Sequence, residues 1–159
     1  MARNDDIVKV MARWNMPPKA KVYEAFSAVA DGCVVLGDNE ATVTSSNGEK
    51  TYKVRWSPDL SAFSSSDSAS VWQGYTGYPI IAVLLQLGIL HSESQVTGLL
   101  AGINWNELNK KFKRDYDKAV ASVLERLSEH ERELIISAAT HAYVQLAALE
   151  LEKLVTKKK

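Results

Sequence analysis

In Ala41-Thr42-Val43-Thr44-Ser45-Ser46-Asn47-Gly48-Glu49-Lys50-Thr51-Tyr52-Lys53-Val54-Arg55-Trp56, two alternating runs flank an Asn-Gly pair. Asn47-Gly48 is a strong hairpin signal, because both residues tolerate positive φ at the centre of a tight turn. Tyr52, Val54 and Trp56 alternate with Thr51, Lys53 and Arg55. That strand is expected to bury its aromatic face and turn its basic face to water. Upstream, Cys33 to Leu36 adds a strand ending in a turn at Gly37-Asp38-Asn39. Downstream, Pro58-Asp59 makes another turn, and serine-rich Ser61 to Ser70 is expected to form a weak edge strand or a mobile loop. The product is a three- or four-stranded antiparallel meander.

Helical spacing surrounds this meander. Ile7, Val10, Met11 and Trp14 predict a first helix over Asp5–Trp14, with Asn4-Asp5-Asp6 suited to its N-terminus. Pro17-Pro18 stops it and opens a second, Lys19–Ala30, which Asp31-Gly32 ends. From Pro79, Ile80, Val83, Leu84 and Leu87 line a helix apolar nearly all round, so it belongs in the core. His91-Ser92-Glu93 breaks the chain before a brief helix closed by Gly102.

Asn104 with Glu107, and Ser128 with Glu131, have capping-box spacing. Trp105, Leu108, Phe112, Tyr116, Ala119, Val123 and Leu127 recur at helical intervals, as do Leu134, Ile135, Ala138, Ala142, Leu146 and Leu149. Asn104–Leu127 and Ser128–Val155 are therefore expected to form an antiparallel helical hairpin. The fold class is α+β: two N-terminal helices, a small antiparallel β-meander, a buried central helix and a C-terminal antiparallel helical hairpin. One domain spans residues 1–159, an α/β part over 1–90 and a helical part over 91–159.

The 159 residues, 46% hydrophobic and 24% charged, suffice to bury a core. Nineteen Lys plus Arg balance nineteen Asp plus Glu, so no global basic field attracts polyphosphate. Lys110-Lys111-Phe112-Lys113-Arg114 is the dense basic cluster, echoed by Lys157-Lys158-Lys159, but Asp115 and Asp117 follow the first and a solvated face explains it. Nucleic acid is thus not an expected partner. The lone Cys33 needs no oxidising compartment, Met1–Asp6 lacks the apolar stretch of a signal peptide, and the apolar run Ile80–Leu85 is too short to span a bilayer. These features predict a cytoplasmic protein without membrane partners.

The segment Trp72-Gln73-Gly74-Tyr75-Thr76-Gly77-Tyr78 is the chief candidate site. Trp72, Tyr75 and Tyr78, interleaved with glycines before a helix, could wall a pocket beside backbone N–H groups. The competing explanation, that they pack the core where sheet meets helix, carries more weight on burial statistics. The segment lacks the Gly-Lys-Ser or Gly-Lys-Thr of a phosphate loop. His130 and His141 share a helix face but lie roughly 16 Å apart along the axis. His130-Glu131 has Leu134 where a zinc-protease motif needs its second histidine, so no metal is implied. Cys33 has no local activating neighbour. No nucleophile elbow is present and no cofactor is implied.

Without catalytic spacing, a non-catalytic binding or scaffolding module of the cytosol is the expected function. A winged-helix-like DNA-binding regulator, motivated by Lys50, Lys53 and Arg55 on a hairpin after helices, is the first alternative. A small enzyme with an aromatic-walled pocket near residues 72–78 is the second. The last helix carries more apolar residues than one stripe needs, which points to a homodimer through the C-terminal helices.

Overall fold

The computed structural model describes residues 12–155. The meander consists of β1 (Val34–Leu36), β2 (Glu40–Thr44), β3 (Thr51–Trp56) and β4 (Ala62–Ser65), antiparallel and in chain order. Register sets Ala41 against Val54, Val43 against Tyr52 and Trp56 against Phe63. One face therefore gathers Ala41, Val43, Val54, Trp56 and Phe63, all buried, while Lys53 and Arg55 point to water.

The hairpin is wider than a two-residue turn. Of Asn47 and Gly48, Gly48 alone takes positive φ, 75°. Its N–H donates to the Ser45 carbonyl, and Ser45 N–H donates to Lys50. Side chains hold this loop open: Asn47 Oδ1 accepts from Ser45 Oγ–H and Glu49 N–H, and Ser45 Oγ accepts from Lys50 N–H. These bonds compete successfully with the tight turn. The serine-rich run is ordered as β4, and it is an inner strand, because β5 (Glu152–Lys153) pairs parallel beyond it.

Of the first expected helix, residues 5–11 lie outside the described residues, and Ala12, Arg13 and Trp14 are extended. Arg13 bridges Glu152, Lys153 N–H donates to Ala12, and Trp14 N–H donates to Leu151. The Trp14 indole N–H donates to the Phe63 carbonyl at 3.0 Å. Tertiary pairing thus overrides helical periodicity at this end. Asn15 N–H then reaches the Gly74 carbonyl.

Helix α1 (Ala20–Ala30) packs on α2 (Tyr78–Gln86), and α2 in turn lies against all four strands of the meander. The α2 residues Pro79 to Leu85 are all buried. So is every α1 residue from Ala20 to Ala28, charged ones included. Gly32, at φ 69°, ends α1, and Cys33 N–H donates back to Ala28.

Next come α3 (Ser94–Thr97) with the 3₁₀ turn Gly98–Leu100, α4 (Trp105–Lys111), α5 (Tyr116–Leu124) and α6 (Glu129–Leu149). Asn104 caps α4, and Ser128 with Glu131 forms a complete capping box on α6. The first limb of the expected hairpin is two helices. Lys113 and Arg114 have φ of 54° and 66°, Arg114 N–H closes onto Asn109, and Asp115 caps α5. The basic cluster Lys110–Arg114 therefore straddles a helix end. The last helix stops at Leu149, where Glu150 turns left-handed (φ 49°) and sends the chain into β5. Among the described residues, no helix is long and apolar enough to cross a membrane.

Candidate functional site

Burial of α1 on all sides carries its polar stripe inside. Lys21, Glu24 and Ser27 follow one another at helical spacing, buried under the segment from Leu100 to Tyr116, and Asp31 continues the stripe as the exposed cap of the helix end. Lys21 Nζ lies 3.3 Å from Glu24 Oε2 and 3.9 Å from the centre of the Tyr116 ring. Asn109 Nδ2 donates to the same Glu24 oxygen at 3.4 Å. Ser27 Oγ–H donates to Leu100 and accepts from the Trp105 indole, and Asp31 accepts from Gly102 N–H. Each stripe residue is met by a partner.

Burial pushes the Glu24 carboxyl up, against the opposing Lys21 charge and the Lys21 and Asn109 hydrogen bonds. Burial also raises the Tyr52, Tyr75 and Tyr78 phenols, with the Glu24 and Asp67 carboxylates adding to it. These phenols stay protonated at neutral pH. The crevice bordered by Glu24, Ser27, Cys33, Tyr78 and Trp105 has about 10 Å³, room for one water. No organic substrate reaches Glu24 through that opening. Cys33 is half-buried, and its thiol is raised by burial and by the Asp31 charge.

The Trp72–Tyr78 segment is shaped by Asp67. Its buried carboxylate accepts from Ser65 Oγ–H, Ser70 N–H and Ser70 Oγ–H, and Ser70 Oγ accepts from Gly77 N–H. An added Cβ on Gly77 would collide with the Asp67 carboxylate. A π-helical turn over Ala69–Gln73 ends at Gly74 with φ 75°. Trp72 stands out, 80% exposed, whereas Tyr75 and Tyr78 are half-buried, Tyr78 edge-on to Tyr52 at 6.2 Å. The three aromatics do not share one wall. Tyr75 and Tyr78 face the charged cluster, and Trp72 faces water.

The other side of the segment borders a larger space. A groove of about 190 Å³ is lined by Arg13, Trp14, Asn15, Met16, Thr76, Leu146, Ala147, Glu150 and Leu151. Arg13 pairs with Glu150 at its rim. Thr76 is 2% exposed, and its Oγ1 has no hydrogen-bond partner among the described residues. Asn109 Oδ1 is likewise orphaned, in the charged cluster. Among the described residues no three His, Cys, Asp or Glu side chains gather as a metal site requires.

Sequence reasoning missed Lys21, Glu24, Asn109 and Tyr116, and also the groove residues Arg13–Met16 and Thr76. For the first group the polar stripe of α1 was the available signal. For the second there was none, because three distant chain segments build the groove.

The fold defines an α+β protein with an open groove beside the Trp72–Tyr78 segment. The family model described as "Uncharacterised conserved protein UCP014422" matches residues 14–152, and the chain belongs to that family. No curated protein and no solved structure matches it.

The charged cluster makes a double-mutant prediction. Lys21→Met leaves a buried carboxylate unpaired and is expected to cost about 3–5 kcal/mol, whereas Lys21→Met with Glu24→Gln should recover most of that loss. Because burial raises the folded-state Glu24 pKa, folding is favoured below the unfolded value and loses that contribution as pH rises through the folded one. The Lys21→Met penalty should therefore shrink towards pH 4–5. Urea unfolding at several pH values measures it. Additive single-variant losses would contradict a coupled pair.

Proposed function

We propose that this protein is a non-catalytic binding module that takes a small amphipathic ligand in the groove between Arg13–Met16, Thr76 and the end of α6. The observation that carries the reading is the Thr76 hydroxyl, deeply buried in the groove lining and unpartnered among the described residues. Native proteins rarely leave such groups unmet, because each costs about 1–3 kcal/mol. The apolar surface of Trp14, Met16, Leu146 and Leu151 around a few polar groups is the usual composition of a ligand site.

In this reading Trp72 flanks the groove as an exposed stacking platform, and Tyr75 and Tyr78 brace the segment from behind. An enzyme built on the charged cluster is disfavoured because its crevice holds one water. A winged-helix-like DNA binder is disfavoured because α1 alone of the described helices precedes the meander. The zero formal net charge also argues against duplex DNA as a partner. A cytoplasmic location accords with the lone cysteine.

Crystallographic fragment screening is expected to place hits in the groove, in contact with Thr76. Thr76→Val should leave the free protein as stable or about 1 kcal/mol more stable while weakening those hits. Hits confined to other surfaces would refute the groove as the binding site.

Self-association belongs to the same proposal. Ile136 and Val144, eight residues apart on one face of α6, are 38% and 62% exposed, and Leu134 is 41% exposed. A homodimer through the C-terminal helices would cover them. Sedimentation equilibrium at micromolar concentration should give a dimer mass, and Val144→Glu a folded monomer. A monomer mass for the unmodified chain would rule the dimer out.

A further inference from the structure

The chemistry around the groove narrows its ligand. Gly74, at φ 75°, bends the chain so that two donors converge on the place where its side chain would be. A Cβ at that place would lie 3.6 Å from Asn15 Nδ2 and 3.7 Å from Lys153 Nζ. Asn15 lines the groove, and the Lys153 ammonium sits 5.1 Å from the centre of the Trp14 ring that also lines it. Neither the Asn15 amide nor the Lys153 ammonium has a hydrogen-bonded or ionic partner among the described residues.

Arg13 and Lys153 carry two positive charges, and Glu150, held by Arg13, carries one negative. Glu152 adjoins Lys153 on β5 and projects to the strand's other face, the one it shares with its bridge partner Arg13. Among the described residues the Lys153 ammonium is left without an ionic partner. It stands with the Asn15 amide at Gly74, and the Thr76 hydroxyl in the groove lining also has a proton to give. Apolar surface from Trp14, Met16, Leu146 and Leu151 lies alongside.

Resting on the groove reading above, we infer that the ligand is a small carboxylate with an apolar body. Lys153, Asn15 and Thr76 supply donors to the carboxylate, and Trp14, Met16, Leu146 and Leu151 bed the rest. A phosphate monoester is a poorer match, since its two charges would face Lys153 alone as an unpaired cation among the described residues. Arg13 serves as a rim residue, holding Glu150 away from the incoming anion.

The test uses the full chain and a matched pair of probes, 4-phenylbutyrate and 4-phenylbutanol, followed by amide and indole NMR shifts. The carboxylate should bind at least about tenfold more tightly than the alcohol, the difference a charge-assisted hydrogen bond supplies. It should move the Trp14 indole, Asn15 and Thr76 signals. Lys153→Met should erase the preference while the alcohol binds as before. Equal affinities, or a preference that survives Lys153→Met, would overturn the carboxylate assignment and leave the groove standing as a binding site. Shifts from neither probe at Trp14, Asn15 or Thr76 would overturn both.

Discussion

The structure depends on one burial. Helix α1 is covered from every side over Ala20–Ala28, so its polar stripe cannot face water. A buried charge or hydroxyl left unmet costs several times what a satisfied one returns, and the segment from Leu100 to Tyr116 meets the stripe residue by residue. Lys21 lies on the Tyr116 ring and beside Glu24, Glu24 takes the Asn109 amide, and Ser27 and Asp31 fix the chain at Leu100, Trp105 and Gly102. The apolar surface of α1 packs on α2 above the sheet. One helix thereby holds both halves of the protein together, through greasy contact on one side and polar contact on the other.

That arrangement decides where ligand chemistry can occur. A Lys–Glu pair among tyrosines resembles catalytic machinery, but here its partners are all internal and its crevice is closed to anything larger than water. The open groove has the reverse properties. Its wall is the extended Arg13–Met16 segment, stapled by Trp14 to Leu151 and Phe63 and by Asn15 to Gly74. Its floor includes a hydroxyl that the protein itself does not satisfy among the described residues. Each place has one orphaned polar atom, Asn109 Oδ1 in the closed cluster and Thr76 Oγ1 in the groove lining, and only the second lies beside open apolar surface.

Much of the fold was legible. The alternation at Tyr52–Trp56 set the sheet face, the apolar run from Pro79 gave the buried helix, and Asn104 and Ser128 marked two caps. What misled was local pattern overruled at a distance. Trp14 has helical spacing to Ile7, Val10 and Met11, yet a ladder with residues 151–153 and an indole bond to Phe63 hold it extended. Phe112 and Tyr116 continue one helical stripe, but the left-handed pair Lys113-Arg114 splits it, which periodicity alone does not register. The candidate site was half legible. Composition drew attention to Trp72–Tyr78, while Thr76, the residue with the unmet hydroxyl, was hidden among its aromatic neighbours.

The central claim is that the tied Arg13–Met16 segment is a fixed wall of the groove and not a loose terminus. Native-state hydrogen exchange measures this directly. The Trp14, Asn15 and Lys153 amides should exchange with the same protection as those of β3 and β4, because all of them open only when the sheet does. Fast exchange at Trp14 and Asn15 beside a well-protected β3 would show that the wall opens by itself, and the groove would then not be a standing feature of the fold.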